Sequence, residues 1–253
     1  MSDKSEIQTQ FGQNAADYVH STPHRKGASL ERLLALVQPK PHWQVLDIAT
    51  AVGFTAWTFA PHVAHVYATD ITPEMLTLAQ QEAVTRGLTN HTIQYADAEN
   101  LPYPDNTFHL VTCRIAPHHF ADIPRFVQEA VRVLKPKGLL AVVDNVVPEG
   151  SAGDYVNAFE KLRDPSHLCC FSVNGWLETF AQAGLGHIHA EIIEKRMSFS
   201  FWAKRHNEHT RRFLLALLTH APSETAVFFH PATENGEHYF HLQEGIFIEE
   251  KCA

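Results

Sequence analysis

The sequence predicts an α/β protein whose open, mostly parallel sheet is wound on both faces by helices. Three observations carry that expectation. Short apolar runs of strand length alternate with helix-compatible stretches from Gln44 to Asp144. The segment QVLDIATAVGFTAWTFAPHVAHVYATD, residues 44–70, reads strand, tight turn, helix, strand, acid, which is the plan of a nucleotide-binding βαβ unit. A chain of 253 residues is long enough to bury one sizeable core with an appendage.

Taken in order, residues 5–22 have Phe11, Ala15, Tyr18 and Val19 at helical spacing and end at a Ser21-Thr22-Pro23 turn. Residues 29–37 form a second helix with Leu30, Leu33, Leu34 and Val37 on one face, stopped by Pro39 and Pro41. Residues 45–48 are an apolar run typical of a strand buried on both faces. Small residues 49–53 make the turn, 55–60 the helix, and 65–68 a second strand that ends on Asp70. Such a turn lets backbone N–H groups approach a ligand at the helix N-terminus. An acid about 20 residues further on accepts hydrogen bonds from ribose hydroxyls; Asp70 stands 21 residues after Ala49.

Thr72 is placed to cap the next helix and Pro73 suits its first position. Met75, Leu78, Ala79 and Ala83 point inward, and Gly87 ends the helix. Residues 91–95 and 109–113 are the third and fourth strands, with Asp97-Ala98-Glu99 and a Pro-rich turn between them. A helix over 122–134 and a fifth strand over 139–143, ending on Asp144, complete the alternation. Beyond residue 150 the chain predicts helices over 154–164, 174–183 and 206–219 and strands over 187–195 and 239–249. Phe199, Phe201 and Trp202, with the last helix, are expected to form a cap or a homodimer interface.

The quoted segments resemble the class I S-adenosylmethionine-dependent methyltransferases, in particular the small-molecule enzymes of the ubiquinone/menaquinone-biosynthesis type. That family's turn reads D-x-G-x-G-x-G; here it is Asp47-Ile48-Ala49-Thr50-Ala51-Val52-Gly53, with only the last glycine kept. The run from Asp97 to His109 is similar to the family's D-A-x-x-L-P-F-x-D-x-S-F-D, and Arg132 to Gly138 to its R-V-L-K-P-G-G, where Lys137 replaces a glycine and predicts a different turn type. The resemblance spans about residues 10–150. It implies a Rossmann-like, doubly wound, seven-stranded, mostly parallel sheet with an antiparallel edge strand and helical caps at both termini. It also implies one methyltransferase domain: a helical lid over 1–38, a cofactor-binding half over 39–150 and a substrate-side half over 151–253. S-adenosylmethionine is the cofactor implied. Carried over, its contacts are Tyr18 from the lid, Asp47, Ala49 and Gly53 in the turn, Asp70 on the ribose, and Ile71 and Met75 after it. Asp97 and Ala98 fall at the adenine and Arg114 past the fourth strand.

A sulfonium methyl group is already electrophilic, so the protein need only align the partners, exclude water and take a proton where one is released. His118 and His119 follow the fourth strand, where ligands meet open α/β sheets. They are expected to face the acceptor, one of them as a general base with a pKa near 6.5, or else to cap the following helix. His167, Tyr18 and His24 are further candidates. Alanine at 49 or 51 adds a β-carbon where ligand meets backbone, so a shifted pose and weaker binding are expected.

Other functions fit less well. The formal charge of −8 argues against a nucleic-acid or anionic-membrane surface and for a small-molecule acceptor. No apolar run reaches about 18 residues, and the start MSDKSEIQTQ lacks a signal-peptide core, so a cytoplasmic protein is expected. Four cysteines without a C-x-x-C pair and eighteen scattered histidines suggest neither a disulfide framework nor a metal site. A dinucleotide-dependent dehydrogenase would need a small residue where Phe54 stands. The competing reading is a methyltransferase-like protein that binds S-adenosylmethionine or a related ligand without transferring the methyl group.

Overall fold

The computed structural model describes residues 4–13 and 27–252. Helices α1 (Lys4–Gln13) and α2 (Ala28–Val37) precede the sheet. Then β1 (Gln44–Ile48), α3 (Phe54–Phe59), β2 (His65–Asp70), α4 (Pro73–Thr85) and β3 (His91–Tyr95) follow in turn. They lead to β4 (Phe108–Arg114), α5 (Ile123–Val133) and β5 (Leu134–Val146). The second half adds α6 (Gly150–Arg163), α7 (Val173–Gln182), β6 (Leu185–Ser198), α8 (Phe199–Trp202), α9 (Glu208–Thr219), α10 (Ser223–Phe229), β7 (Ala232–Glu234) and β8 (Glu237–Lys251).

The strands run in the order β3-β2-β1-β4-β5-β8-β6, and the three-residue β7 pairs with β8. The first five on this path are parallel, while β8 is antiparallel to both β5 and β6. The seven strands of the path match the sequence expectation; β7 is too short to leave a periodic signal.

Alternation along β1 explains the layers. Val45 faces a core with Leu33, Trp57, Phe59 and Ala79 from α2, α3 and α4. Leu46 and Ile48 face the opposite core with Phe126, Val127, Trp176 and Phe180 from α5 and α7. A third cluster joins Phe159, Phe199, Trp202, Leu214, Phe229 and Phe240 over the end of the sheet. Phe199 and Trp202 are therefore spent inside the chain, and of the three aromatics expected at a cap or interface only Phe201, 53% exposed, is available to a partner.

Two expectations are corrected. Strand β5 begins at Leu134, five residues early, because the turn at 135–138 continues the strand across a register shift against β4. Within it Lys137 has φ +62°, the left-handed conformation a glycine would take, so the turn keeps its glycine geometry. Tyr18, His24 and the Ser21-Thr22-Pro23 turn lie outside the described residues.

Candidate active site

A cavity of about 430 Å³ opens at the carboxyl ends of β1, β2, β4 and β5, where open α/β sheets bind ligands. Its first wall is the turn after β1. Ala49, Ala51 and Gly53 all have positive φ, at +52°, +48° and +89°. A left-handed backbone costs a non-glycine residue about 1–2 kcal/mol, so something must hold the two alanines there. The restraints are visible: Thr50 N–H donates to Thr69 O at 2.8 Å, Gly53 N–H to Thr50 O at 2.7 Å, and Ala51 N–H to Asp70 Oδ2 at 2.9 Å. Gly53 is needed twice over, because a β-carbon there would stand 2.1 Å from the Trp57 indole nitrogen.

Asp47 lies beneath the turn and is 1% exposed. It accepts from Thr50 Oγ1 at 2.5 Å, Thr112 Oγ1 at 2.6 Å and Ala56 N–H at 3.2 Å. Burial raises its pKa to about 6 against these hydrogen bonds. Its carboxyl braces the loop.

Asp70 ends β2 and is buried. Oδ2 holds Ala51 N–H and Oδ1 holds Thr72 N–H, each at 2.9 Å. A carboxylate has about four acceptor sites, and the Ile71 N–H and the Thr72 hydroxyl also bear on this one. The Thr72 hydroxyl turns to Asp70 and makes no cap bond to α4, contrary to its expected capping role. Met75 is 1% exposed, packs with Leu30, Val52 and Phe54, and also lines the cavity.

A smaller recess adjoins the cavity and shares Ala49, Ile71, His119 and Phe120 with it; Asp97, Ala98 and Lys4 line the rest. Asp97 Oδ1 accepts from Glu99 N–H at 3.0 Å, and Oδ2 accepts from Lys4 Nζ at 2.5 Å. Helix α1 crosses this end of the site. Besides Lys4, Gln8 Nε2 donates to Ile71 O at 2.6 Å, and Phe11 meets His119 edge-on at 5.0 Å.

Past β4 the chain turns sharply. Ile115, β-branched, has φ +54°, strain of a kind that clusters at functional sites. The turn places Pro117–His119 over the end of β5. His118 Nδ1 lies 2.5 Å from Asp144 Oδ1, and His118 N–H donates to Asp144 Oδ2 at 2.9 Å. Burial pushes Asp144 up to about 8 and His118 down to about 4. His119 Nδ1 faces Ser166 O at 3.0 Å; burial, and then repulsion by His118, push its pKa down to about 4. His167 sits 5.5 Å from the His118 ring and contacts Asn157 Oδ1 at 3.0 Å. No group of three His, Cys, Asp or Glu residues among the described residues is arranged to hold a metal ion. Arg114, half-buried, lines the cavity and donates from Nε to Thr55 Oγ1 at 3.1 Å.

A family model described as a methyltransferase domain matches residues 46–142. The uncharacterized methyltransferase YcgJ of Bacillus subtilis is 32% identical over 246 residues, covering 96% of this chain and 97% of that protein. The chain belongs to the class I S-adenosylmethionine-dependent methyltransferases. A solved structure of YcgJ superposes with a TM-score of 0.84 at 31% identity, over 89% of this chain and 98% of that one. A Bacillus halodurans structure assigned to the methyltransferases gives a TM-score of 0.86 at 33% identity, over 90% and 100% of the two chains. The ubiquinone/menaquinone biosynthesis C-methyltransferase UbiE of Zymomonas mobilis is 35% identical over 103 residues, 41% of this chain and 43% of that protein.

In this methyltransferase the cavity is lined by Asp47, Ala49, Asp70, Ile71, Met75, Arg114, His118 and His119 among the residues singled out from sequence. Asp97 and Ala98 lie in the adjoining recess. Gly53 lines neither; a β-carbon there would meet the Trp57 indole, so the residue shapes the turn. Sequence reasoning missed the pairing of Asp144 with His118 and the placing of Glu160, Arg163 and Lys195 in the cavity, and it read Trp202 only as part of a cap or interface. Asp144 did carry a signal, an acid at a parallel strand's carboxyl end.

Proposed function

We propose that this methyltransferase moves the methyl group of S-adenosylmethionine to a small-molecule acceptor, with His118 taking the acceptor's proton. The observation that carries this reading is the turn itself. All three glycine positions of the family's loop keep positive φ although two are alanine, beside Asp70, whose carboxyl group at the end of β2 lines the cavity. The residues present fit the cofactor: Asp70 for two ribose hydroxyls, the Asp97–Ala98 recess for a purine edge, and Ala49 to Val52 for the amino-acid end.

When bound, S-adenosylmethionine would supply an electrophilic sulfonium methyl for transfer to an acceptor lone pair, with S-adenosylhomocysteine as the leaving group. The chain's part is to orient and to manage one proton. Asp144 fixes His118 through Nδ1. With Asp144 ionised, Nδ1 carries the hydrogen and Nε2 offers a lone pair to an acceptor O–H, N–H or acidic C–H. Lys4, Gln8 and Phe11 let α1 act as the lid that keeps water out.

The test is transfer of label from methyl-tritiated S-adenosylmethionine to a fractionated small-molecule extract. A labelled product that depends on the protein is expected. Tight cofactor binding with no labelled product in any fraction would favour binding without transfer.

A further inference from the structure

We propose that the acceptor end of the cavity selects an organic anion, a molecule with an apolar body and a carboxylate or phosphate group; this rests on the methyltransferase reading above. The far wall is apolar, made by Trp202, Met197 and Leu242. Cations stand around it. Arg163 lies 5.4 Å over the Trp202 ring and Lys204 4.6 Å over Phe201. Neither forms an ion pair with a carboxylate among the described residues. Packing a cation on an aromatic face fixes its position and leaves its charge available.

The carboxyl groups nearby offset them only in part. Lys195 is matched by Glu244 at 2.6 Å. Asp164 faces Arg163 electrostatically and also accepts from Ser166 Oγ at 2.6 Å and Ser166 N–H at 3.0 Å. Glu160 is 6% exposed, and its Oε1 has no hydrogen-bond partner among the described residues. Burial raises its pKa, which favours the neutral acid. It stands three residues before Arg163, on the same face of α6. The unpartnered Glu160 Oε1 and the Arg163 guanidinium beside it both line the cavity as polar groups that a ligand can meet. A chain of net charge −8 thus turns a local surplus of positive charge toward the one region its cofactor contacts do not use.

Two matched pairs of probes test this by calorimetry, with and without S-adenosylhomocysteine. One is 3-(4-hydroxyphenyl)propionate against its neutral amide; the other is phenyl phosphate against phenol. The anion of at least one pair should bind about tenfold more tightly than its neutral partner, and the pair that responds identifies the charged group. The preference should shrink in Arg163→Gln and vanish in Arg163→Gln/Lys204→Gln. Lys204 is exposed, so Lys204→Gln alone gives a partial loss without risk to the fold. Equal binding of both members of each pair, a preference that survives the double variant, or no binding of any probe would overturn the proposal. The arms with S-adenosylhomocysteine report the cofactor reading separately, so the two fail independently.

Discussion

The two ends of the cavity are made by different means. The cofactor end is built largely from one stretch, residues 44–75, by backbone N–H groups, three left-handed residues and a single carboxylate at a strand end. The acceptor end is built from side chains on β5, α6, β6 and α8, brought together only by the antiparallel β8 and the aromatic cluster under it. Backbone geometry needed for a common ligand can be specified locally. A surface that discriminates one acceptor from another is assembled from positions distant in sequence.

The acceptor end is broken most severely at His118. His118→Ala should lower turnover by ~10²–10⁴ with cofactor affinity intact. The proton pathway also has a pH signature. Burial holds the Asp144 carboxyl protonated until about pH 8, and in that form it donates to Nδ1 and leaves the hydrogen on Nε2. The base form appears as this proton is lost, so activity should rise with pH through an apparent pKa of the pair near 8. A limb near the 6.5 expected of a free histidine would show that His118 acts without Asp144.

The cofactor end is broken next at Gly53. Gly53→Ala adds left-handed strain of ~1–2 kcal/mol and drives a methyl into the Trp57 indole, overpacking that costs ~1–3 kcal/mol more. Chemical denaturation should show a loss of about 3 kcal/mol. A loss under ~1 kcal/mol would mean that the indole has room to move and that Gly53 is not the fixed point of the turn.

Ala51→Gly carries the smallest effect and refines the expectation of weakened binding. The left-handed conformation is held by the chain's own hydrogen bonds, from Thr50 N–H, Ala51 N–H and Gly53 N–H. Its strain therefore belongs to folding, and relieving it stabilises free and bound protein alike. Thermal unfolding should show a change within ~1 kcal/mol, the relief being offset by the greater unfolded-state freedom of glycine. Affinity for S-adenosylmethionine should stay within about twofold. Affinity that rises fivefold or more would mean that the turn rearranges on binding.

How much of this was legible follows the same division. Asp70 could be located because strand, turn and acid follow one another at fixed spacing, and Asp47 and Asp97 because their segments resemble the family's turn and its D-A-x-x-L-P run. The dihedrals of Ala49, Ala51 and Lys137 could not: alanine and lysine give no sign of a left-handed backbone, and only hydrogen bonds such as Ala51 N–H to Asp70 impose it. His118 was visible at a strand end, but its partner Asp144 is 26 residues away and meets it through the β4–β5 register. Glu160 and Arg163 read as the polar face of an ordinary helix until Trp202, about 40 residues on, is packed beside them.

The central claim is that the altered turn still binds S-adenosylmethionine through Asp70. Calorimetric titration of the wild-type protein and Asp70→Ala tests it most directly, with circular dichroism confirming that the variant is folded. The wild type should bind, and the variant should lose about 2–4 kcal/mol of affinity, since a charged acceptor is removed and ribose hydroxyls are left unpaired. Equal affinity in a folded Asp70→Ala protein, or no binding by the wild type, would contradict the account.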